Sequence, residues 1–319
     1  MTSHCSEVLS SIAAVVRDTP LRPLGGSLVK CEFQLPYSGS TKDRSVLAVL
    51  EDGIASGALM EGGTVIEASS GNFAVACALM CSQMGIKFIP VLDGHVNSTT
   101  LRLLSLLCEQ VELLPAEDGR GKSALERRRD RVREIVRTRS DCWWPDQYTN
   151  MSPVRAHSEG TFKEIVDAVP DVEEIVVAVG TGGTLAGIAK GLIGHDRHIK
   201  LVAVDVIGSE IFGGSAGPRH IPGMGSSLRS ALVDRFSHRV DEVVMVAETD
   251  IVRECRRLAQ YEGLFVGGSA GAVSLAATLR EDEGRRKRVI IAPDRGLPYL
   301  DTIFSDSWVR ARYDTDALV

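Results

Sequence analysis

The sequence contains no Cys-x-x-Cys pair and no cysteine–histidine group at ligand spacing, which excludes the common zinc and iron–sulfur frameworks; no bound metal is expected. Its seven cysteines, Cys5, Cys31, Cys77, Cys81, Cys108, Cys142 and Cys255, are an odd number scattered over 319 residues, the pattern of reduced thiols in a cytoplasmic protein. Long apolar runs are also missing. The stretch from Met1 to Val16 is apolar but too short to span a bilayer, and it lacks the basic flank of a secretory leader, so neither export nor membrane insertion is expected. Nor is there a basic stripe: 36 basic against 42 acidic residues leave a net charge of −6, which argues against a nucleic-acid partner. The single basic cluster, Arg127, Arg128, Arg129, Arg131, Arg133 and Arg137, is broken by Asp130 and Glu134 and reads as the solvated face of a helix. Internal repeats and low-complexity tracts are absent as well.

What is present is an ordinary globular composition, 44% hydrophobic and 24% charged, in a chain long enough for a large core. An amphipathic first helix ends at Asp18-Thr19-Pro20. Beyond it, short β-branched runs alternate with segments of helical period, the pattern of parallel sheets covered by helices. The expected strands are Thr64–Glu67, Lys87–Val91, Gln110–Leu114, Glu174–Val179, Lys200–Asp205, Glu242–Val246 and Arg288–Ile291. Helices are expected over Asn72–Met84, Thr99–Cys108 and Leu185–Leu192. The alternation comes in two blocks, from about residue 60 to 115 and from about 174 to 295, which implies two sheets with a cleft between them. The link Asp141–Arg155 has neither period and is where a domain crossing is expected.

Four small-residue turns at helix starts carry the candidate chemistry. In Val176-Val-Ala-Val-Gly-Thr-Gly-Gly-Thr-Leu-Ala-Gly187, a buried strand runs through a glycine-rich turn into a helix, whose backbone N–H groups and dipole suit a phosphate. The same turn could be purely structural, or part of a dinucleotide site with Asp205 at the end of the next strand. The dinucleotide spacing, however, demands a small residue where Leu185 stands. Upstream, Ser38-Gly-Ser-Thr-Lys-Asp-Arg44 precedes a helix starting near Ser45, and a lysine there is either a surface residue paired with Asp43 or a nucleophile whose pKa the helix dipole lowers. Glu67-Ala-Ser-Ser-Gly-Asn-Phe73 is a second strand–turn–helix, able to hold a carboxylate or simply to cap its helix. In Gly267-Gly-Ser-Ala-Gly271, Ser269 is a helix cap, a ligand contact, or both. Together the four make a consistent pocket for one phosphorylated aldehyde and one amino-acid carboxylate.

In this order and spacing, Thr19-Pro20-Leu21, Ser40-Thr-Lys-Asp-Arg44, Ser69-Ser-Gly-Asn72, Gly180-Thr-Gly-Gly-Thr184 and Gly268-Ser269 resemble the cysteine synthase and cystathionine β-synthase superfamily, the fold-type II pyridoxal-phosphate (PLP) enzymes, over nearly the whole chain. A closer likeness is to the branch making N-(2-amino-2-carboxyethyl)-L-glutamate on the route to 2,3-diaminopropionate. Its marks are Trp143-Trp-Pro-Asp-Gln-Tyr148, Ala203-Val-Asp-Val-Ile-Gly-Ser-Glu-Ile-Phe-Gly213, Arg219-His-Ile-Pro-Gly-Met-Gly-Ser-Ser227, Tyr261-Glu-Gly-Leu-Phe265, Pro293-Asp-Arg-Gly-Leu-Pro-Tyr-Leu-Asp301 and Phe304-Ser-Asp-Ser-Trp308.

The resemblance implies an α/β fold of two domains, each a mostly parallel sheet flanked by helices, with PLP in the cleft. Residues 45–148 would form the smaller, mobile domain, and 1–44 with 149–319 the larger one. It implies that Lys42 bonds the cofactor as a Schiff base and carries the substrate's proton, that Asn72 meets the ring oxygen, and that Gly180, Thr181, Gly182, Gly183 and Thr184 cradle the phosphate. Ser269 would face the pyridine nitrogen and leave it largely unprotonated, which favours β-elimination. Ser69, Ser70, Gly71 and Gln147 are the candidate carboxylate contacts. Arg219, Ser226, Ser227 and Arg229 are candidates for the donor phosphate or for glutamate. The implied reaction joins O-phospho-L-serine to L-glutamate in a homodimeric cytoplasmic enzyme serving siderophore or antibiotic assembly. The competing readings are a cysteine synthase using sulfide and a catalytically silent binding protein. Two residues depart from the cysteine synthase pattern: Phe73 stands where a hydroxyl residue is usual, and Leu35-Pro-Tyr-Ser-Gly39 replaces an asparagine-proline-glycine run.

Overall fold

The computed structural model describes residues 3–94, 96–115, 122–280 and 286–313. Helix α1 (Ser3–Val15) leads into strands β1 (Leu21–Leu24) and β2 (Ser27–Cys31), and then into α2 (Lys42–Ala55). Strand and helix next alternate through β3 (Thr64–Glu67), α3 (Asn72–Gln83), β4 (Lys87–Leu92), α4 (Ser98–Leu107), β5 (Glu112–Leu113), α5 (Ala124–Thr138) and β6 (Cys142–Trp143). After α6 (Ser152–Ala156), a π-helical turn (His157–Phe162) and α7 (Lys163–Ala168), the second alternation is β7 (Glu174–Ala178), α8 (Gly183–Leu192), β8 (Lys200–Val206), α9 (Ala231–Phe236) and β9 (Glu242–Val246). Helices α10 (Glu248–Tyr261) and α11 (Gly268–Thr278), strand β10 (Arg288–Ala292) and helix α12 (Asp306–Tyr313) complete the described chain.

These elements form two compact units: Met1–Arg17, Leu35–Ser38 and Lys42–Pro153 in the first, and Asp18–Gln34, Gly39–Thr41 and Val154–Val319 in the second. The first unit holds a parallel four-stranded sheet in the order β5-β4-β3-β6. Successive strand residues point to opposite faces, so both faces must be apolar when helices cover both. Val65 and Phe88 accordingly pack with Ile12, Val46, Leu50 and Met80 from α1, α2 and α3, while Ile66, Ile89 and Val91 pack with Val132 and Ile135 of α5. The sequence expectation placed residues 1–44 with the C-terminal block. The contacts instead group α1 and Lys42 with the first unit, because Leu9, Ile12 and Val16 bury their apolar face against α2 and α3.

The second unit holds a six-stranded sheet, β1-β2-β10-β7-β8-β9, parallel except for edge strand β1. Val176, Val202, Val204 and Ile290 face α10 and α11, and Ile175, Val177, Leu201 and Ile291 face α8. All seven expected strands are present, β5 as two residues only. The β1–β2 hairpin escapes a pattern search because β1 is four residues long with a proline inside it. Glu174, wholly buried at the start of β7, is matched by Arg280 Nη2 at 2.9 Å and by Arg288 Nε, an ion cluster with no part in the site below.

Candidate active site

In the first unit, strand β3 runs through Ala68-Ser69-Ser70-Gly71 into α3, so the turn lies at the carboxyl end of a parallel sheet, where such folds place their ligands. Helix α2 begins at Lys42 itself, three residues earlier than the sequence suggested. Lys42 is half-buried and so is not a freely solvated lysine. Asp43, fully buried, accepts from the Tyr37 N–H at 2.8 Å and the Ser38 N–H at 2.9 Å, and so folds the unusual Leu35–Ser38 segment onto the start of Lys42's helix. Phe73, the departure noted above, is turned into the apolar core and leaves the turn to Ser69, Ser70 and Asn72.

Two residues that the sequence did not single out organise this turn. Glu67, at the end of β3, is fully buried; its Oε1 accepts from the Ala68 N–H at 2.8 Å and the Trp144 indole at 3.0 Å, and its Oε2 from the Gln147 N–H at 3.1 Å. One carboxylate thereby ties the Ser69–Asn72 turn to the segment carrying Gln147. Burial pushes its pKa up to about 7, against the opposing pull of those three hydrogen bonds. The second residue is Arg128, whose Nη1 donates to Ser70 Oγ at 2.8 Å and whose Nε lies 3.1 Å from buried Asp93. Arg129 pairs with Asp146 at 2.8 Å beneath Trp144 and Tyr148. The basic cluster is therefore only partly a solvated face: Arg128 and Arg129 turn inward, drawn by acids 35 and 17 residues away in sequence.

In the second unit, the phosphate-type turn follows β7. Gly182 has φ +89°, a left-handed conformation, and a Cβ there would stand 2.5 Å from Val233 Cγ2. Gly180 passes so close to the backbone of Gly223 that its Cβ would lie 3.0 Å from a carbonyl oxygen. Ser230 Oγ donates to the Thr181 carbonyl at 2.6 Å, locking the turn. Thr184 Oγ1 lies 3.3 Å from Nε2 of wholly buried His157, whose Nδ1 meets Thr161 Oγ1 at 2.9 Å. The π-helical turn containing His157 and Thr161 thus positions the Thr184 hydroxyl in the glycine-rich turn. Ser269 sits in the first turn of α11, 3% exposed. Asp205 is buried with Oδ1 on the Val206 N–H at 2.8 Å, so it is not presented to a ribose.

The remaining candidates divide. Arg229 uses all three guanidinium nitrogens on the chain itself, bonding Asp234, the Ile211 carbonyl at 2.7 Å and Ser237 Oγ at 2.8 Å, so its placement is that of a structural clamp. Ser226 accepts from the Leu228 N–H at 2.9 Å, and its own N–H donates to Ser209. Arg219 is half-buried beside Asp205, with its buried Nε unbonded among the described residues, and Ser227 is half-buried nearby in the chain.

Residues 12–294 match, as one span, the family described as pyridoxal-phosphate dependent enzymes. The chain belongs to that family. N-(2-amino-2-carboxyethyl)-L-glutamate synthase of Ralstonia nicotianae is 37% identical over 275 residues, 85% of this chain and 80% of that protein. The enzyme of the same name from Cupriavidus metallidurans is 35% identical over 316 residues, 95% of this chain and 92% of its own length. Among solved structures, the O-acetylserine dependent cystathionine β-synthase of Helicobacter pylori aligns with a TM-score of 0.82 at 25% identity, covering 91% of this chain and 97% of that one. O-ureido-L-serine synthase aligns with a TM-score of 0.83 at 26% identity, covering 94% and 98%.

The residues present fit PLP. Helices α3, α8 and α11 each start from a glycine, Gly71, Gly182 and Gly267, with no side-chain cap. Asn97, Ser123 and Ser230 cap α4, α5 and α9 with a side-chain oxygen, whereas α10, like the three above, starts without one, at Ala247. A helix leaves its first N–H groups without internal partners. At the turns opening α3 and α8, the backbone N–H groups of a helix start suit an anionic ligand such as a carboxylate or a phosphate.

Proposed function

We propose that this PLP enzyme joins O-phospho-L-serine and L-glutamate to give N-(2-amino-2-carboxyethyl)-L-glutamate and inorganic phosphate. The observation that carries this reading is the 35–37% identity to two synthases of that product along most of the chain. PLP supplies an electron sink that makes the donor's α-proton acidic and its β-phosphate a leaving group.

The chain's residues do the rest. Lys42 holds the cofactor, and when freed its Nζ takes the α-proton and later returns it. Asn72 orients the cofactor ring through its oxygen. Gly180, Thr181, Gly182, Gly183 and Thr184 hold its phosphate, with His157 and Ser230 fixing the turn. Ser269 meets the pyridine nitrogen. Ser69, Ser70, Gly71 and Gln147 bind the donor carboxylate; support comes from the uncapped start of α3 and the Glu67 bridge between the two segments. Arg219, with Ser226 and Ser227, receives the donor phosphate or the acceptor, since a guanidinium suits both anions. The product serves 2,3-diaminopropionate supply for a siderophore or peptide antibiotic, and the enzyme works as a cytoplasmic homodimer; seven free thiols agree with that compartment.

The test is a product screen. Incubating the holoenzyme with O-phosphoserine or O-acetylserine, and with glutamate, other amines or sulfide, should give phosphate release and a product of the expected mass only with O-phosphoserine plus glutamate. Cysteine formed from sulfide as the sole product would overturn the proposal.

A further inference from the structure

Three buried oxygens converge at the start of α11. The position of the Cβ that Gly223 lacks is 3.0 Å from Ser269 Oγ, 3.7 Å from Tyr299 Oη and 4.0 Å from Asp294 Oδ2. Ser269, Asp294 and Tyr299 are each 3% exposed, and the Tyr299 hydroxyl donates to Asp294 Oδ2. The Asp294 carboxylate also packs against the residue that precedes α11, where a Cβ on Gly267 would fall 2.4 Å from Oδ1. Its backbone is pinned on both sides: the Gly267 N–H donates to the Asp294 carbonyl at 2.9 Å, and Thr41, next to Lys42, donates to the Pro293 carbonyl at 2.8 Å. A buried carboxylate is costly unless it is compensated, and here the Tyr299 hydroxyl donates to Oδ2 while Oδ1 lies against the start of α11. Its field reaches α10, where burial first and the charge of Asp294 second push the Cys255 thiol up.

We propose that the Asp294–Tyr299 pair is a positioning device behind Ser269 that sets the electrostatic potential at the pyridine-nitrogen end of the cofactor. This rests on Ser269 meeting that nitrogen. A serine hydroxyl alone leaves the ring neutral, whereas a fixed negative charge behind it stabilises a proton on the ring nitrogen and makes the ring a stronger electron sink. Tyr299 disperses that charge and so limits the effect.

The test uses the full-length holoenzyme loaded with PLP labelled with nitrogen-15 in the ring, and reads the ring-nitrogen resonance, the absorption spectrum, PLP affinity and steady-state rates. Asp294→Asn should move the resonance toward neutral pyridine and lower kcat on the order of tenfold with little change in KM, as loss of a unit charge several ångströms away in a protein interior implies. Asp294→Glu should restore the signal in part, and Tyr299→Phe, which concentrates the charge, should move it the opposite way from Asp294→Asn. An Asp294→Asn protein with the wild-type resonance and spectrum would overturn the proposal; if that variant does not fold, a wild-type resonance in Tyr299→Phe overturns it instead. Ser269→Ala separates the two readings: an unchanged ring resonance there removes Ser269 from the nitrogen, whatever Asp294 does.

Discussion

Arg128 donates from Nη1 to Ser70 Oγ at 2.8 Å, so a side chain on α5 holds a residue of the turn that opens α3. The same guanidinium faces Asp93, itself 2% exposed. Replacing Arg128 by methionine removes the guanidinium that faces this buried carboxylate, which should cost up to about 3–5 kcal/mol in urea unfolding. The freed Ser70 should raise the KM for the donor more than it lowers kcat. Lysine at 128 keeps the charge but not the fork, and should fall between the two.

Glu67 predicts a pH dependence of stability. Its folded pKa, about 7, lies above the ordinary 4.5, so the folded protein keeps a proton that the unfolded chain releases. Stability should therefore fall as pH rises from about 4.5 to 7, by roughly 3 kcal/mol, and level off above. Glu67→Gln should abolish that slope. Wild-type kcat/KM should fall below pH 7, where protonated Glu67 loosens its hold on Gln147, and Glu67→Gln should flatten that fall. Unfolding curves and donor kinetics across pH check both.

Gly182→Ala should fail for two reasons, a left-handed backbone costing about 1–2 kcal/mol and a clash with Val233. PLP affinity should drop on the order of tenfold or more, because phosphate hydrogen bonds from the turn are lost. Equilibrium dialysis measures it.

Lys42→Ala should retain the wild-type far-ultraviolet circular dichroism while losing at least ~10²–10⁴-fold in turnover, the range ascribed to a positioned proton carrier. Wild-type turnover in this variant would remove Lys42 from the chemistry.

The strands were legible because parallel strands covered on both faces need unbroken β-branched runs, and Glu174–Ala178 and Arg288–Ala292 are such runs. The glycine turns were legible because Gly182 and Gly180 answer to backbone geometry that local sequence encodes. The inward turn of Arg128 was not legible, because Asp93 lies on another element and charge pattern along one helix says nothing of it. Glu67 did leave a signal: an acid ending the all-buried Thr64–Glu67 run, just before a serine-glycine turn, has to be paid for by nearby donors. Helix α10 went unnoticed although its acidic first turn, Glu248 and Asp250, marks a helix start.

The left-handed turn at Gly182 also limits how this enzyme can diverge. A mutation there meets two separate penalties, and a suppressor at Val233 that makes room for a side chain leaves the backbone penalty untouched. Second-site reversion is closed on that side. Libraries randomised at 182 and 233 together should return glycine at 182 whatever residue stands at 233, so the loop evolves only through its neighbours.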